Sequence, residues 1–232
     1  MASGKAIIGS LLGRLVFTKA RVSEVASLSS SFRRVVLEGD GLAGTKWSPG
    51  DKLQVFLASG DMRTYTPLSW DSERGLTSVV LYVHGDAPGA QWARTLAQGD
   101  AVQFFGPRKS LRLADAKGPQ VLFGDETSFG VAVALSSLRQ GRDLELVFEV
   151  SRAAECRSVL NSLGLTATLV ERAPGDVHLA ELVERLQAAE RAGFSPVFTG
   201  RAQAIQALQR SLGRTFRGPT VAYWSLGKRG LD

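Results

Sequence analysis

Apolar and polar positions alternate with a period of two over residues 32–38, 52–58, 76–83 and 101–105. Such alternation places successive side chains on opposite faces of a strand. Residues 16–25 and 63–68 read the same way, so six strands are expected before residue 106. The polar run 27–31, Gly39-Asp40-Gly41, Ser48-Pro49-Gly50-Asp51 and residues 71–75 separate them. These are turn-forming compositions. Short strands with turns at regular spacing predict a six-stranded antiparallel β-barrel or sandwich.

The period changes across 106–118. Beyond it, short apolar runs at 120–123, 143–149, 165–170, 195–199 and 220–224 alternate with helical spacing at 127–139, 153–164, 177–192 and 202–212. Leu179, Leu182, Val183 and Leu186 fall at i, i+3, i+4 and i+7, which is one face of a helix. Alternating strands and helices predict a parallel, Rossmann-like sheet covered by helices. Two domains follow, 1–112 and 113–232, with no internal repeat and no low-complexity segment. In open parallel sheets ligands bind beyond the carboxyl ends of the strands. A ligand cleft between the two domains is therefore expected.

Charge narrows the partners. The 28 basic and 22 acidic residues give a net charge of +6, but they are interspersed. No Lys/Arg block of the kind that contacts nucleic acid appears. A small anionic molecule is the expected ligand, and no nucleic acid. Cys156 is the one cysteine, so no disulfide forms within the chain, which fits a reducing, cytoplasmic setting. It is expected to be a buried small hydrophobe. His84 and His178 are the two histidines, and no metal-ligand spacing surrounds them. The apolar run 7–17 is interrupted by Ser10, Gly13 and Arg14 and is too short to span a bilayer. It reads as a short helix or strand leading into the barrel. No membrane partner is expected, and the chain is expected to be a monomer.

The candidate chemistry centres on Arg63-Thr64-Tyr65-Thr66-Pro67-Leu68-Ser69. If this stretch is extended, Arg63 and Tyr65 share a face. A guanidinium forks onto phosphate oxygens, and a phenol ring offers a rigid face to a π system. Thr66 adds a hydroxyl and an amide from the opposite face. The group suits a ligand carrying both a phosphate and a flat ring, such as a flavin dinucleotide. A surface Arg and Tyr on a β-edge is the alternative at this point. Tyr82-Val83-His84-Gly85 ends the fifth strand, and Gly89-Ala90-Gln91-Trp92-Ala93 can open a helix whose free amides suit a pyrophosphate. An ordinary Gly/Pro turn before a helix would read the same. Gly124-Asp125-Glu126-Thr127 follows the first strand of the second domain, where a dinucleotide fold places its phosphate loop, yet no G-x-G-x-x-G is present. Two carboxylates there would repel phosphate, so capping, or a hydrogen bond near a cofactor ring, is the expected job. Tyr223-Trp224 closes the last strand, either over a flat ligand or as core.

As a set, Arg63-Thr64-Tyr65-Thr66, His84-Gly85, Gly89 to Ala93, Gly106-Pro107, Gly124-Asp125-Glu126-Thr127 and Tyr223-Trp224 with Gly227 resemble, in order and spacing, the siderophore-interacting proteins. These are flavin-dependent ferric-siderophore reductases of the ferredoxin-reductase superfamily. The resemblance covers nearly the whole chain. It implies an FAD-binding antiparallel barrel at 1–112 and a nicotinamide-binding α/β domain at 113–232. It implies FAD as cofactor, NADH or NADPH as electron donor, and a ferric siderophore or other ferric chelate as acceptor. By resemblance, Arg63 would bind the flavin pyrophosphate, with Thr64 beside it in the motif. Tyr65 would stack on the ring system and Thr66 would hydrogen-bond near the reactive nitrogen. His84 and Gly85 would line the flavin, Gly89 and Ala90 would hold phosphate, and Trp92 belongs to the same motif. Asp125, Glu126 and Thr127 would sit where the flavin and nicotinamide sites meet, and Tyr223 and Trp224 would close the flavin site from the second domain. Lys52, Arg108, Lys109, Lys228 and Arg229 are candidates to attract the anionic chelate.

Three departures stand out. Leu68 replaces an Arg usual in the family, Ser128-Phe129-Gly130-Val131 replaces Ala-Leu-Pro-Ala, and the chain is short. Reduction of a ferredoxin, an oxygenase partner or a quinone is the alternative within the enzyme class. A non-catalytic siderophore-binding protein is the alternative outside it.

Overall fold

A computed structural model gives the fold and describes residues 17–115, 117–139 and 143–227. Two sheets account for it. The first holds β1 (Thr18–Ser27), β2 (Phe32–Glu38), β3 (Lys52–Phe56), β4 (Met62–Tyr65), β5 (Ser69–Asp71), β6 (Leu76–Tyr82) and β7 (Ala101–Arg108). Helix α1 (Pro88–Thr95) lies between β6 and β7. The order is β4-β3-β7-β1-β2-β6-β5, antiparallel throughout. The sheet is barrel-like but not closed, and it has seven strands rather than six. The extra strand is β5. Pro67 offers no N–H to a ladder, so the expected strand 63–68 stops at Tyr65. The chain pairs again at Leu68, whose N–H donates to the Ser78 carbonyl at 2.8 Å. The lead-in expected at 7–15 lies outside the described residues.

The second sheet is β8 (Gln120–Gly124), β9 (Leu144–Val150), β10 (Thr168–Glu171), β11 (Ser195–Arg201) and β12 (Thr220–Trp224). Its order is β10-β9-β8-β11-β12, all parallel. Helices α2 (Phe129–Leu138), α3 (Ala153–Ser162), α4 (Leu179–Arg191) and α5 (Ala202–Leu212) connect the strands. The period-two rule sorts the core. Leu122, Leu146, Phe148 and Val197 pack with α2 and α3, whereas Val121, Phe123, Val147 and Phe198 pack with α4 and α5. The strand order reverses between β8 and β11. That crevice is where such sheets bind ligands.

One core is shared by the two sheets. Phe32 from β2 stacks on Phe129 from α2, ring centroids 5.2 Å apart with planes 2° from parallel, and both are fully buried. Gly130 of α2 lies so close to β4 that a Cβ there would stand 2.5 Å from the Thr66 carbonyl oxygen. The turn 29–31 ties in from the other side. The Glu155 carboxylate accepts from Ser29 Oγ (2.6 Å), Ser30 Oγ (2.9 Å) and the Ser31 N–H (2.9 Å). These contacts fix how the two sheets present their ends to one another.

Candidate functional site

β4 sets the first half of the site. Arg63 stands opposite Val55 and Tyr65 opposite Leu53, so both project from one face of the sheet, as the alternation predicts. Helix α1 covers that face. Its Gly89 is so close to Arg63 that a Cβ would meet the guanidinium Nε at 2.8 Å. Trp92 of the same helix lies 6.0 Å from the Tyr65 ring. Pro88 opens α1 and Ala87 supplies no side-chain cap, while the Ala90 and Gln91 N–H groups turn back to the Ala87 carbonyl at 2.9 and 3.0 Å, so the helix start at Gly89 lies beside a guanidinium. Arg33 secures the other end of α1 by donating to the carbonyls of Ala93 and Arg94. A cation there suits the helix dipole. Arg94 in turn holds the preceding turn, donating to the Gly85 carbonyl and pairing with Asp86 at 3.6 Å.

The second half comes from the carboxyl edge of the parallel sheet. Asp125 is fully buried and caps the turn into α2. Its Oδ1 accepts the Thr127 N–H at 2.8 Å and the Thr127 hydroxyl, and its Oδ2 accepts the Trp224 indole N–H at 2.7 Å. Burial, reinforced by the neighbouring Glu126 charge, pushes the Asp125 carboxyl up to about 6. Tyr223 reaches back to the first sheet, with its hydroxyl 3.4 Å from Thr66 Oγ1. Burial pushes that phenol up to about 12 and drives Tyr65 up as well. Both stay neutral ring faces at any physiological pH.

A row of rings joins the halves. Tyr82 packs on Phe32 (4.9 Å), His84 stacks on Tyr82 (4.7 Å, 21°), and Trp224 lies 6.3 Å beyond His84. Burial lowers the His84 pKa, which favours the neutral ring. Arg172 sits over Trp224, 5.9 Å from its centroid. Its guanidinium also grips Glu126, with Nη1 to Oε1 at 3.1 Å and a second, shorter contact from Nη2 to Oε2. Glu126 Oε1 further accepts the Ser151 N–H at 2.6 Å and the Tyr82 hydroxyl at 3.4 Å.

Behind this row lies a buried ionic network absent from the sequence reading. Glu149, fully buried near the end of β9, accepts both arms of Arg201 at 2.8 Å each. Arg201 also forks onto Asp176, at 2.9 and 3.0 Å. His178 Nδ1 accepts the Ala173 N–H at 3.2 Å, so Nε2 carries the proton and donates it to Glu149 at 2.9 Å. The available signal was Glu149 itself, a charge between Phe148 and Val150 in a strand expected to be covered on both faces, which requires partners. Arg172 offered none, being one of many arginines after a strand.

The structure thus brings Arg63, Tyr65, Gly89, Ala90 and Trp92 together, and Thr66, His84, Asp125, Thr127, Tyr223 and Trp224 together beside them. Gly85 holds the turn between β6 and α1. Thr64 stands opposite Gln54, on the face away from Arg63 and Tyr65. Lys52 pairs with Arg108 across β3 and β7, and Arg108 donates to Gln54 at 3.1 Å. Both therefore project from that other face, and Lys109 follows them exposed. Lys228 and Arg229 lie outside the described residues. Cys156 is buried, its thiol pushed up to about 12 by burial, and is inert. Among the described residues no group of His, Cys, Asp and Glu could hold a metal, and no helix is long and apolar enough to cross a membrane.

Residues 58–111 match the siderophore-interacting FAD-binding domain. The resemblance read from the sequence is borne out there, and the FAD-binding segment contains Arg63 to Thr66, His84 and α1 entire. The fold agrees over nearly the whole length. A siderophore utilization protein from T. fusca is 24% identical, with 93% of this chain and 95% of that one covered at a TM-score of 0.73. The siderophore-interacting protein SipS from Aeromonas hydrophila gives 20%, 92%, 93% and 0.74. Phthalate dioxygenase reductase, described as transferring electrons from pyridine nucleotides to [2Fe-2S], gives 17%, 91%, 68% and 0.68. No curated protein sequence matches the chain. The residues present fit FAD. Gly89 lets the start of α1 close onto the Arg63 side chain, which puts helix backbone and guanidinium together for a phosphate, and both sheets contribute aromatic rings, Tyr65 with Trp92 and His84 with Trp224.

Proposed function

We propose that this chain is an FAD-dependent oxidoreductase that takes hydride from NADH or NADPH and reduces a ferric siderophore or other ferric chelate, releasing Fe(II). The observation that carries the reading is the meeting of Arg63, Tyr65 and the α1 N-terminus on one sheet with Tyr223 and Trp224 on the other. Bound FAD would supply the chemistry, accepting two electrons together and releasing them singly.

The chain's own residues supply position. Arg63 and the start of α1 at Gly89 and Ala90 would hold the pyrophosphate, the guanidinium as a fork and the helix end as a dipole. Tyr65 would face the ring system. Thr66 would offer its hydroxyl to the ring edge, oriented by Tyr223. His84, neutral, would line the ring without adding charge. Trp224, fixed by Asp125 and Arg172, would cover the face from the second sheet and exclude water. No side-chain acid or base is needed, because no proton transfer gates the hydride step. Residues 1–112 are assigned to the flavin and 113–232 to the nicotinamide nucleotide. Lys52, Arg108 and Lys109 remain candidates to steer an anionic chelate, from the face away from Tyr65.

The test is the visible spectrum of the protein, purified or reconstituted with FAD. Anaerobic NADH or NADPH should bleach the flavin bands, and ferric citrate or a ferric siderophore should restore them. A protein that takes up no FAD would overturn the proposal. A flavin that bleaches but is not restored by any ferric chelate would leave a flavin reductase of another acceptor.

A further inference from the structure

We infer that the carboxyl edge of the parallel sheet is built for a dinucleotide with a free ribose 2′-hydroxyl, NADH rather than NADPH, and that Glu155 is the residue that rejects a 2′-phosphate. The inference rests on the reductase reading above.

In dinucleotide-binding sheets the adenosine ribose lies at the end of the second strand. An acidic residue there accepts the 2′-hydroxyl, whereas a nearby Arg accommodates a 2′-phosphate. Here the second strand is β9, and Ser151 and Arg152 follow it. Arg152 is the candidate cation, and it is already engaged. Its Nη2 pairs with Glu155 Oε2 at 2.5 Å and donates to the Ser31 hydroxyl. Glu155 is no passive partner. Although burial alone would raise it, the hydrogen bonds from Ser29, Ser30 and Ser31 hold its carboxyl below the ordinary range, so the charge is fixed at neutral pH. A phosphate approaching Arg152 finds the guanidinium already paired with a carboxylate directly behind it.

Two further guanidiniums at this edge are already committed. Arg172 is divided between Glu126 and Glu149, and Arg201 between Glu149 and Asp176. The helix ends are closed too. Asp125 caps the turn into α2, and Glu171 Oε1 takes the Ala153 N–H of α3 at 2.7 Å. Together these contacts involve six carboxylates (Asp125, Glu126, Glu149, Glu155, Glu171, Asp176) and three guanidiniums (Arg152, Arg172, Arg201). A second phosphate group would enter a field of its own sign, while a neutral ribose diol would find acceptors. Like charge in a partly desolvated site is a strong basis for discrimination.

The test uses the FAD-loaded protein. Calorimetric titration with 5′-AMP and 2′,5′-ADP reads the adenosine site without turnover, and anaerobic mixing with NADH and NADPH reads flavin reduction. The expected result is at least tenfold tighter binding of 5′-AMP than of 2′,5′-ADP, with the same order for NADH over NADPH. Glu155→Gln should narrow that ratio several-fold. Should Glu155→Gln not fold, Arg152→Ala decides: an engaged Arg152 predicts an unchanged 2′,5′-ADP affinity. Tighter binding of 2′,5′-ADP by the wild-type protein, or its loss in Arg152→Ala, would overturn the inference and leave the reductase reading standing. If neither nucleotide reduced the flavin, the reductase reading itself would fall, and this inference with it.

Discussion

The Trp224 indole N–H donates to Asp125 Oδ2 at 2.7 Å, tying the last strand of the parallel sheet to the turn after its first. Gly200 makes the contact possible. It sits at φ +97, and a Cβ there would lie 2.5 Å from the same carboxylate oxygen. The ring that closes the site is therefore placed by a buried acid, which is itself placed by a glycine on β11.

That acid gives the first prediction. The folded carboxyl titrates near 6, against an ordinary value of 3.8. Its folded pKa is raised, so the native state holds the proton more tightly than the unfolded chain does. The associated stability is fully present below about pH 4 and lost as pH rises through about 6. Two units correspond to roughly 2–3 kcal/mol. Asp125→Asn does not titrate. The melting temperature of wild type relative to this variant should fall by roughly 5–10 °C between pH 4 and pH 7. A difference that stays flat over this range would show that Asp125 carries its charge without cost.

Arg63 gives a second prediction, dependent on the proposed cofactor. A charge-assisted guanidinium–phosphate bond contributes about 1.5–3 kcal/mol. Arg63→Ala should weaken FAD binding by roughly 10–100-fold, with little change in the melting temperature of the cofactor-free protein. Titrating that protein with FAD and following flavin fluorescence measures it. Unchanged affinity would place the pyrophosphate elsewhere.

These residues differ in how visible they were. Arg63 and Tyr65 were legible because the period of a strand alone puts them on one face, and β4 keeps that period. The two-sheet division was legible because the period switches once, near residue 106. β5 was missed because three residues after a proline carry too little pattern to register as a strand. Glu149, Arg201, Arg172 and His178 were missed for another reason. Arg201 lies 52 residues from Glu149, and His178 lies 29. Their pairing is set by which strands become neighbours, and that is decided by helix packing rather than by any local signal. The role of Asp125 as a cap was legible from its place after a strand and before a helix, but its grip on Trp224 was not.

Gly130 carries the third prediction. The sequence has glycine where the resembling family commonly has proline, and the structure uses its missing side chain. A Cβ would meet the Thr66 backbone oxygen at 2.5 Å, and backbone cannot swing aside as a side chain can. Gly130→Ala should force β4 and α2 apart at the point where Thr66 meets Tyr223. Overpacking of this kind costs about 1–3 kcal/mol, or a drop of roughly 3–10 °C in the melting temperature. Helix propensity pulls the other way, since alanine is better than glycine in a helix interior by up to ~1 kcal/mol. An alanine variant as stable as wild type would mean that the two sheets can part at no cost.

The buried network behind Trp224 gives the last prediction. Glu149 is ionised because the hydrogen bonds and charges of Arg201, His178 and Arg172 outweigh its burial, which alone would raise its pKa. Removing the carboxylate leaves Arg201, only 3% exposed, with Asp176 as its remaining anion. Breaking a buried pair from one side costs about 3–5 kcal/mol, more than the intact pair contributes against an apolar replacement. Glu149→Ala should therefore be severely destabilised. Glu149→Gln, which keeps an acceptor for Arg201 and for the His178 N–H, should recover part of the loss. The pH dependence has the opposite sign to that of Asp125. Because the folded pKa of Glu149 is lowered, its contribution is present above the unfolded carboxylate pKa and is lost as pH falls through the folded value. Thermal melts of wild type and Glu149→Gln between pH 3 and 7 should converge on the acid side and diverge above it. Parallel curves would mean that Glu149 is held by packing and not by charge.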